Sequence, residues 1–382
     1  MAYGFGGAER TTANLLSDLD RSRIRQITLV APAALKPWLP DTDHTFIDAA
    51  ALGLQGGFTT PGDLSRQART VGTLLRDHTP DLALGMMHYA AALVVLGRRW
   101  AGASTRTIAS YRGPYRQYLR HYEPGLGRQW FLRTAIAATT LLADHLIVPS
   151  QGTADELRGW FLNPAARTTV IPNGIDGAVV TQLAEAPAPE LADLPGADMP
   201  IICTVARLAP EKQLGLLLDA FRRVRATRPA RLIILGDGPE RTPLETQIAA
   251  WGLTASVRLL GYRDNIYPYL RRADLFIHTC RFEGFGYAVL EALACGTAVI
   301  ATDCPYGPRE ILGDSEYGVL VPPDDPAALA AAIHRLLADP AQRQAQAIHG
   351  RQRAEQLSID RMVRAYETVF IDLAQRGRTT FL

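Results

Sequence analysis

RFEGFGYAVLEALACG, residues 281–296, is the stretch on which the fold turns. A short apolar run, Leu275–Thr279, precedes it and reads as a strand. Gly284 and Gly286 then let the backbone turn tightly and come close to a ligand. A helix is expected from about Tyr287, with its free N–H groups pointing back at the loop, which makes an anion site. Glu283 lies in the turn, and Glu291 lies one turn inside the helix. Strand, glycine turn and helix in that order are the repeating unit of a doubly wound sheet.

Outward from this stretch the same alternation continues. The second half predicts strands at Ile201–Val205, Leu232–Leu235, Val257–Leu260, Leu275–Thr279, Ala298–Ala301 and Val319–Val321. The first half predicts them at Ile27–Val30, Thr45–Ile47, Leu82–Met86, Thr107–Ala109, Leu146–Val148 and Thr169–Ile171. Short apolar runs of this kind, ended by Gly, Asp or Pro, indicate parallel strands buried on both faces. Helices fill the gaps, for example from Ala8 to about Leu19 and from Leu64 to about Asp77. Glu185–Pro200, rich in Ala, Pro and acid, reads as a linker or an exposed excursion. The final segment, Ile359 to about Ala374, is helical by its period.

Composition narrows the function. The chain has 382 residues, enough for two α/β domains, and a net charge of +2, too small to argue for nucleic acid. Lys36 and Lys212 are the only lysines among 40 basic residues, which makes Lys212 noticeable. Cys203, Cys280, Cys295 and Cys304 form no Cys-x-x-Cys pair and read as small buried hydrophobes. No apolar run approaches the roughly 18 residues of a membrane span, and the N-terminus lacks a signal-peptide plan. The expectation is a cytoplasmic enzyme.

Two carboxylates beside an anion site would repel a bare phosphate. They suit a ligand that carries hydroxyls on both sides of its phosphates, since a carboxylate accepts hydrogen bonds from a vicinal diol. A nucleotide sugar has that order: ribose diol, diphosphate, hexose hydroxyls. Glu291 is therefore assigned to the ribose and Glu283 to the hexose. Arg207 stands at the carboxyl end of the first strand of this half, where ligands bind in open α/β sheets, and Lys212 stands at the next helix start. Together they could neutralise a departing diphosphate. The plainer alternatives are that Glu283 caps a helix, Glu291 lies on a solvated face, and Arg207 and Lys212 are surface charges.

With these pieces in view the sequence resembles the family 4 glycosyltransferases of the GT-B fold. The matching segments are Gly6-Gly7-Ala8-Glu9-Arg10, Val148-Pro149-Ser150, Val170-Ile171-Pro172-Asn173-Gly174, Arg207 with Lys212, Leu235-Gly236-Asp237-Gly238-Pro239, Glu283 to Glu291, and Gly307-Pro308-Arg309-Glu310-Ile311. The resemblance implies two facing Rossmann-like domains with an interdomain cleft. Residues 1–175 would bind the acceptor and 176–358 the nucleotide sugar, with the helix of about 359–382 packing back on the first. It also implies retention of anomeric configuration, no cofactor and no obligatory metal. Phe285, Gly286 and Tyr287 would join Glu283 at the donor, and the Gly6–Gly7 loop would close on its phosphates. Gly236 and Asp237 are second-rank nucleotide neighbours. His88, at the end of the Leu82–Met86 strand, falls where related enzymes place a histidine on the donor sugar. The alternative is a histidine satisfied by backbone.

One departure stands out. Gly4-Phe5-Gly6-Gly7 follows Met1 with no strand before it, where a doubly wound domain opens on one. Either the true start codon lies upstream, or the chain is trimmed, or this domain lacks an inner strand; the expectation drawn is a misplaced start. Arg98 to Arg133 mixes arginines with Trp100, Tyr111, Tyr115, Tyr118, Tyr122 and Trp130, as a segment resting on an anionic membrane would. Within it Tyr111 and Arg112 are candidate acceptor contacts, Arg112 for an acceptor phosphate. Asp18-Leu19-Asp20 and Asp41-Thr42-Asp43 resemble a two-aspartate metal motif but end no apolar strand and are taken as chance.

The expected activity is transfer of a hexose or N-acetylhexosamine from a UDP-sugar to a hydroxyl of a glycan or polyprenyl-diphosphate-linked glycan, in cell-surface polysaccharide synthesis. The alternatives are a non-catalytic or degenerate GT-B subunit, and a nucleotide-sugar epimerase or phosphorylase of the same fold.

Overall fold

In the first half the apolar runs become β1 (Thr28–Ala31), β2 (Thr45–Asp48), β3 (Leu82–Met86), β4 (Arg106–Ser110), β5 (His145–Val148) and β6 (Thr168–Val170). In the second they become β7 (Ile201–Val205), β8 (Arg231–Leu235), β9 (Val257–Gly261), β10 (Leu275–His278), β11 (Ala298–Thr302) and β12 (Val319–Val321). All ladders are parallel. The structure, a computed structural model, describes residues 6–123, 125–161, 167–192 and 198–378. Gly4, Phe5, residues 193–197 of the Ala/Pro-rich segment and residues 379–382 lie outside them. The chain divides into two units, Met1–Gly174 with Ile359–Leu382, and Ile175–Ser358.

The second unit has one six-stranded sheet in the order β12-β11-β10-β7-β8-β9. From β7 the chain winds outward through β8 and β9, then returns to the other side of β7 and winds through β10, β11 and β12. Every residue of β8 and β11 is buried, as the apolar runs require. One core, with Leu217, Phe221, Leu232, Ile277 and Ile333, lies on one face, and another, with Cys203, Ile233, Phe276, Val289 and Leu293, lies on the other.

The first unit is less regular. β3-β4-β5-β6 form a four-stranded sheet, while β1 and β2 pair only with each other among the described residues. β1 and β3 are thus both edges. A face of this unit is covered by the Ile359–Arg378 helix, whose Met362, Val363, Tyr366 and Val369 pack with Leu15, Ile108, Ile147 and Ile171. The helix expected from Leu64 starts about a turn earlier and spans Pro61–His78: Thr60 accepts from the Asp63 N–H, Pro61 fills the first turn, and Arg76 and His78 stand in the last.

Glu185–Pro200 is not a free linker where it is described. Pro189–Ala192 is a short helix, Glu190 accepts from the Tyr269 hydroxyl at 2.6 Å and pairs with Arg263 at 2.9 Å, and Ala188 and Leu191 are buried in the second unit's core. Polarity in the sequence hid a segment tied down by buried side chains. An isolated parallel bridge joins Ile175 to Ser358, so the second unit's two ends lie side by side.

Candidate active site

The order in which strands are added reverses between the parallel neighbours β7 and β10, and the crevice at the carboxyl ends of such a strand pair is where open α/β sheets bind ligands. Two loops leave from there. The first, after β7, runs through Arg207 to a 3₁₀ turn at Pro210–Lys212 and then the Leu214–Arg225 helix. The second, after β10, carries Cys280 and Glu283 into the Tyr287–Ala294 helix, with Gly286 as its left-handed N-cap at φ 104°. The loops are laced together. The Thr279 hydroxyl donates to the Lys212 carbonyl at 2.9 Å, and the Arg281 N–H donates to the Glu211 carbonyl at 2.8 Å.

This lacing brings Lys212 Nζ to 2.6 Å from Glu283 Oε2. Both side chains are about four-fifths buried. Burial pushes the Glu283 carboxyl up, but the Lys212 charge and the His278 contact outweigh it and hold the group well below the usual carboxylate range. For Lys212 burial acts downward, and interaction with the neighbouring Cys280 sulfur and the Glu283 carboxylate carries it above its ordinary value. The result is a partly buried ion pair at the mouth of the crevice.

Glu283 is also fixed through its backbone. Its N–H donates to the Pro305 carbonyl at 2.9 Å and its carbonyl accepts from the Tyr306 N–H at 3.0 Å. Gly307 follows at φ 83°, and a Cβ there would lie 2.1 Å from the Phe285 carbonyl oxygen. Only glycine allows that approach.

The other predicted residues distribute unevenly. Arg207 is 61% exposed and pairs with Glu211 at 2.6 Å. Gly236 and Asp237 close against the Arg207 loop: the Leu208 N–H donates to the Asp237 carbonyl at 2.9 Å, and a Cβ on Gly236 would lie 1.9 Å from the Ala206 oxygen. Phe285 is buried, and Tyr287 opens the helix. Glu291 is buried in that helix and accepts from the Tyr267 hydroxyl at 3.3 Å.

In the first unit Gly6 is the N-cap of the Gly7–Asp18 helix. His88 is buried among Tyr89, Tyr115 and Tyr118, with ring centroids 4.0, 4.9 and 5.4 Å away. Neither ring nitrogen has a hydrogen-bond partner. Burial, with the nearby Arg128 charge, lowers its pKa to about 3. Tyr111 is fully buried, its hydroxyl 3.5 Å from the Ile136 carbonyl. Arg112 donates to Thr11 at 2.7 Å, to Tyr366 at 3.1 Å and to Asn173, tying three segments of this unit together.

Sequence reasoning missed His278 and Cys280, which flank Glu283 at 3.6 and 3.5 Å. Their signal was position: they lie at a strand's carboxyl end, on the ligand side of such a sheet.

The second unit is thus an open doubly wound sheet with a ligand crevice at its switch point, where Lys212 and Glu283 meet. A profile described as Glycosyl transferases group 1 matches residues 194–353, and one described as Glycosyltransferase Family 4 matches residues 5–178, so that together they take in most of the chain. The chain belongs to family 4 of the glycosyltransferases, with the GT-B fold. HepE of Anabaena, solved with UDP, superposes with a TM-score of 0.75 at 21% identity, covering 97% of each chain. A glycosyltransferase of Rickettsia africae gives 0.77 at 16% identity, over 97% of this chain and 96% of that one. Among curated relatives, the N-acetylgalactosamine-N,N'-diacetylbacillosaminyl-diphospho-undecaprenol 4-alpha-N-acetylgalactosaminyltransferase of Campylobacter jejuni is 32% identical over 203 residues. That match spans 53% of each protein, so the chain covers about half the relative's length. The lipopolysaccharide core biosynthesis glycosyltransferase LpsE of Rhizobium meliloti is 26% identical over 340 residues, 87% of this chain and 86% of that protein.

Proposed function

We propose that the chain transfers a hexose or N-acetylhexosamine, with retention, from a UDP-sugar to a hydroxyl of a glycan or lipid-linked glycan. The observation that carries this is the Lys212–Glu283 pair at the reversal point of the second unit. A diphosphate arriving there meets the Lys212 ammonium, the exposed Arg207 guanidinium and the start of the Tyr287–Ala294 helix. As the glycosidic bond breaks, negative charge grows on the leaving phosphate, and Lys212 and Arg207 stabilise it. Glu283, held by its backbone, accepts from hexose hydroxyls and fixes the sugar's orientation. We assign Glu291 to the ribose, with Tyr267 aiming its carboxylate. The ordered leaving phosphate takes the acceptor proton on the same face, so no obligatory metal enters this scheme. UDP in the HepE structure supports the donor class, and the diphospho-undecaprenol in the Campylobacter relative's name supports a lipid-linked acceptor.

Screening nucleotide sugars by thermal shift, then identifying products by mass spectrometry, tests the reaction. Glu283→Ala should abolish transfer, a fall of at least a thousandfold, with an unchanged circular dichroism spectrum. Normal turnover by that variant would refute the assignment.

For the acceptor we assign Tyr111 and Arg112 to packing and tethering, given their burial and partners. The first unit carries an exposed aromatic and basic face: Leu126 at 78% and Trp130 at 63% exposure, and Trp160 with Arg116 and Arg133 over its ring at 3.9 and 4.9 Å. No described helix is long and apolar enough to cross a membrane. We infer peripheral contact with an anionic bilayer through this face. The chain should float with vesicles containing about a third anionic lipid, and Trp130→Ala with Leu126→Ala should weaken this about tenfold or more. Sedimentation of the wild-type chain away from such vesicles overturns the inference.

A further inference from the structure

Beside the carboxylate assigned to the donor lies a set of ligand atoms that the proposed reaction does not use. His278 Nε2 is 3.6 Å from Glu283 Oε2, and Cys280 Sγ is 3.5 Å from the same oxygen. The imidazole, thiol and carboxylate atoms all lie within 4.8 Å of one another. His278 is 3% exposed and Cys280 1%. His278 Nε2 is buried and makes no hydrogen bond within 3.5 Å, its polar neighbour being the same Glu283 oxygen at 3.6 Å, so its lone pair faces the cluster. A tetrahedral zinc-class ion places its ligand atoms about 3.3–3.7 Å apart. Both contacts to the carboxylate already have that spacing. One nitrogen, one sulfur and one oxygen suit a borderline-soft ion such as Zn²⁺ or Co²⁺, whereas Mg²⁺ and Ca²⁺ want oxygen alone.

We propose that His278, Cys280 and Glu283 form a binding site for a zinc-class transition metal ion, which enters by displacing Lys212. The ammonium 2.6 Å from Glu283 is the resident cation of the cluster. On exchange the Cys280 S–H bond breaks, a metal–sulfur bond forms, and the proton passes to the buffer. The ion's two positive charges are then matched by one carboxylate and one thiolate, with His278 giving a neutral lone pair. Lys212, 19% exposed, swings its flexible stem toward solvent. Metal and ammonium therefore compete for one carboxylate. The consequence for catalysis rests on the functional proposal above: a Glu283 held by metal cannot hold the hexose, so the ion inhibits.

The test uses the tag-free full-length chain and Co²⁺ alone as probe, since a thiolate ligand gives a charge-transfer band that other surface sites do not. The expected result is one equivalent bound with that band, its loss in Cys280→Ser, and displacement of the band by Zn²⁺. Lys212→Met should bind Co²⁺ at least tenfold more tightly than the wild type, because the competitor is gone. No thiolate band in either protein, a band that survives Cys280→Ser, or equal or weaker binding by Lys212→Met each overturn the proposal. Should Cys280→Ser fail to fold by circular dichroism, the Lys212→Met comparison decides. Inhibition of transfer by Zn²⁺, reversed by chelator, tests the catalytic consequence. A chain that binds cobalt as described yet transfers no sugar would sink the functional reading and leave the metal site standing.

Discussion

At the scale of single residues, His88 gives the clearest prediction. Its ring is buried among three tyrosines with both nitrogens unpartnered, and its folded pKa of about 3 lies below the ordinary 6.5. A depressed pKa means that the unfolded chain binds the proton first. The stabilisation is complete above about pH 6.5 and is lost as pH falls toward about 3, at roughly 1.4 kcal/mol per pH unit across that window. Chemical denaturation at a series of pH values should show this slope in the wild type, and His88→Phe should remove that part of it. Equal slopes would mean that the imidazole is protonated or solvated in the fold. The case also shows what residue types reveal. Lys212 and Glu283 were picked out by type, since few residue types can neutralise a diphosphate or grip a diol, the roles we propose for them, and the structure brings the two side chains together. Arg112 and Tyr111 were legible as polar and aromatic, but not as interior groups. Arg112 meets Tyr366 across 254 positions of sequence, and no local pattern encodes that contact.

At the scale of elements, position in the sheet decides which side chains meet. The carboxyl ends of β7 and β10 present Arg207, Lys212 and Glu283, and two glycines fix the loops that carry them. Gly307 is the more exposed to test. A Cβ there meets the Phe285 backbone, which cannot swing aside as a side chain could. Gly307→Ala should cost about 2–4 kcal/mol by thermal or denaturant unfolding and should lower donor affinity in the same protein. A variant with wild-type stability would show that the loop shifts freely. Strand positions were readable to within a residue or two; β8 and β11 are buried on both faces and leave unbroken apolar runs, whereas β1, β2 and β6 are partly exposed, contrary to the expectation of burial on both faces. Sheet membership was not. Nothing in Thr28–Ala31 or Leu82–Met86 announces that β1 and β3 are both edges, since pairing depends on what lies beside a strand rather than within it. The Ala/Pro-rich segment misled for the opposite reason: Glu190 is polar by type and held by Tyr269 and Arg263 by contact.

At the scale of the whole molecule, the two units differ in how they use the chain. The second is one continuous run, Ile175–Ser358, with two cores and a complete six-stranded sheet. The first needs a helix from the far end of the sequence to cover Ile108 and Ile147. Residues 175–358 expressed alone should therefore fold cooperatively, with a single thermal transition, and bind UDP through the crevice they contain. Residues 1–174 alone should aggregate or stay partly unfolded, because the partners of Tyr366 and Met362 are left bare. A stable, monomeric 1–174 fragment would contradict this division. The Ile175–Ser358 bridge carries a further consequence. Entry and exit of the inserted run are about one interstrand spacing apart, roughly 5 Å. Because the bridge is parallel, the chain runs the same way at both ends of this run, and a replacement spliced at 174/175 and 358/359 must keep that spacing and that direction.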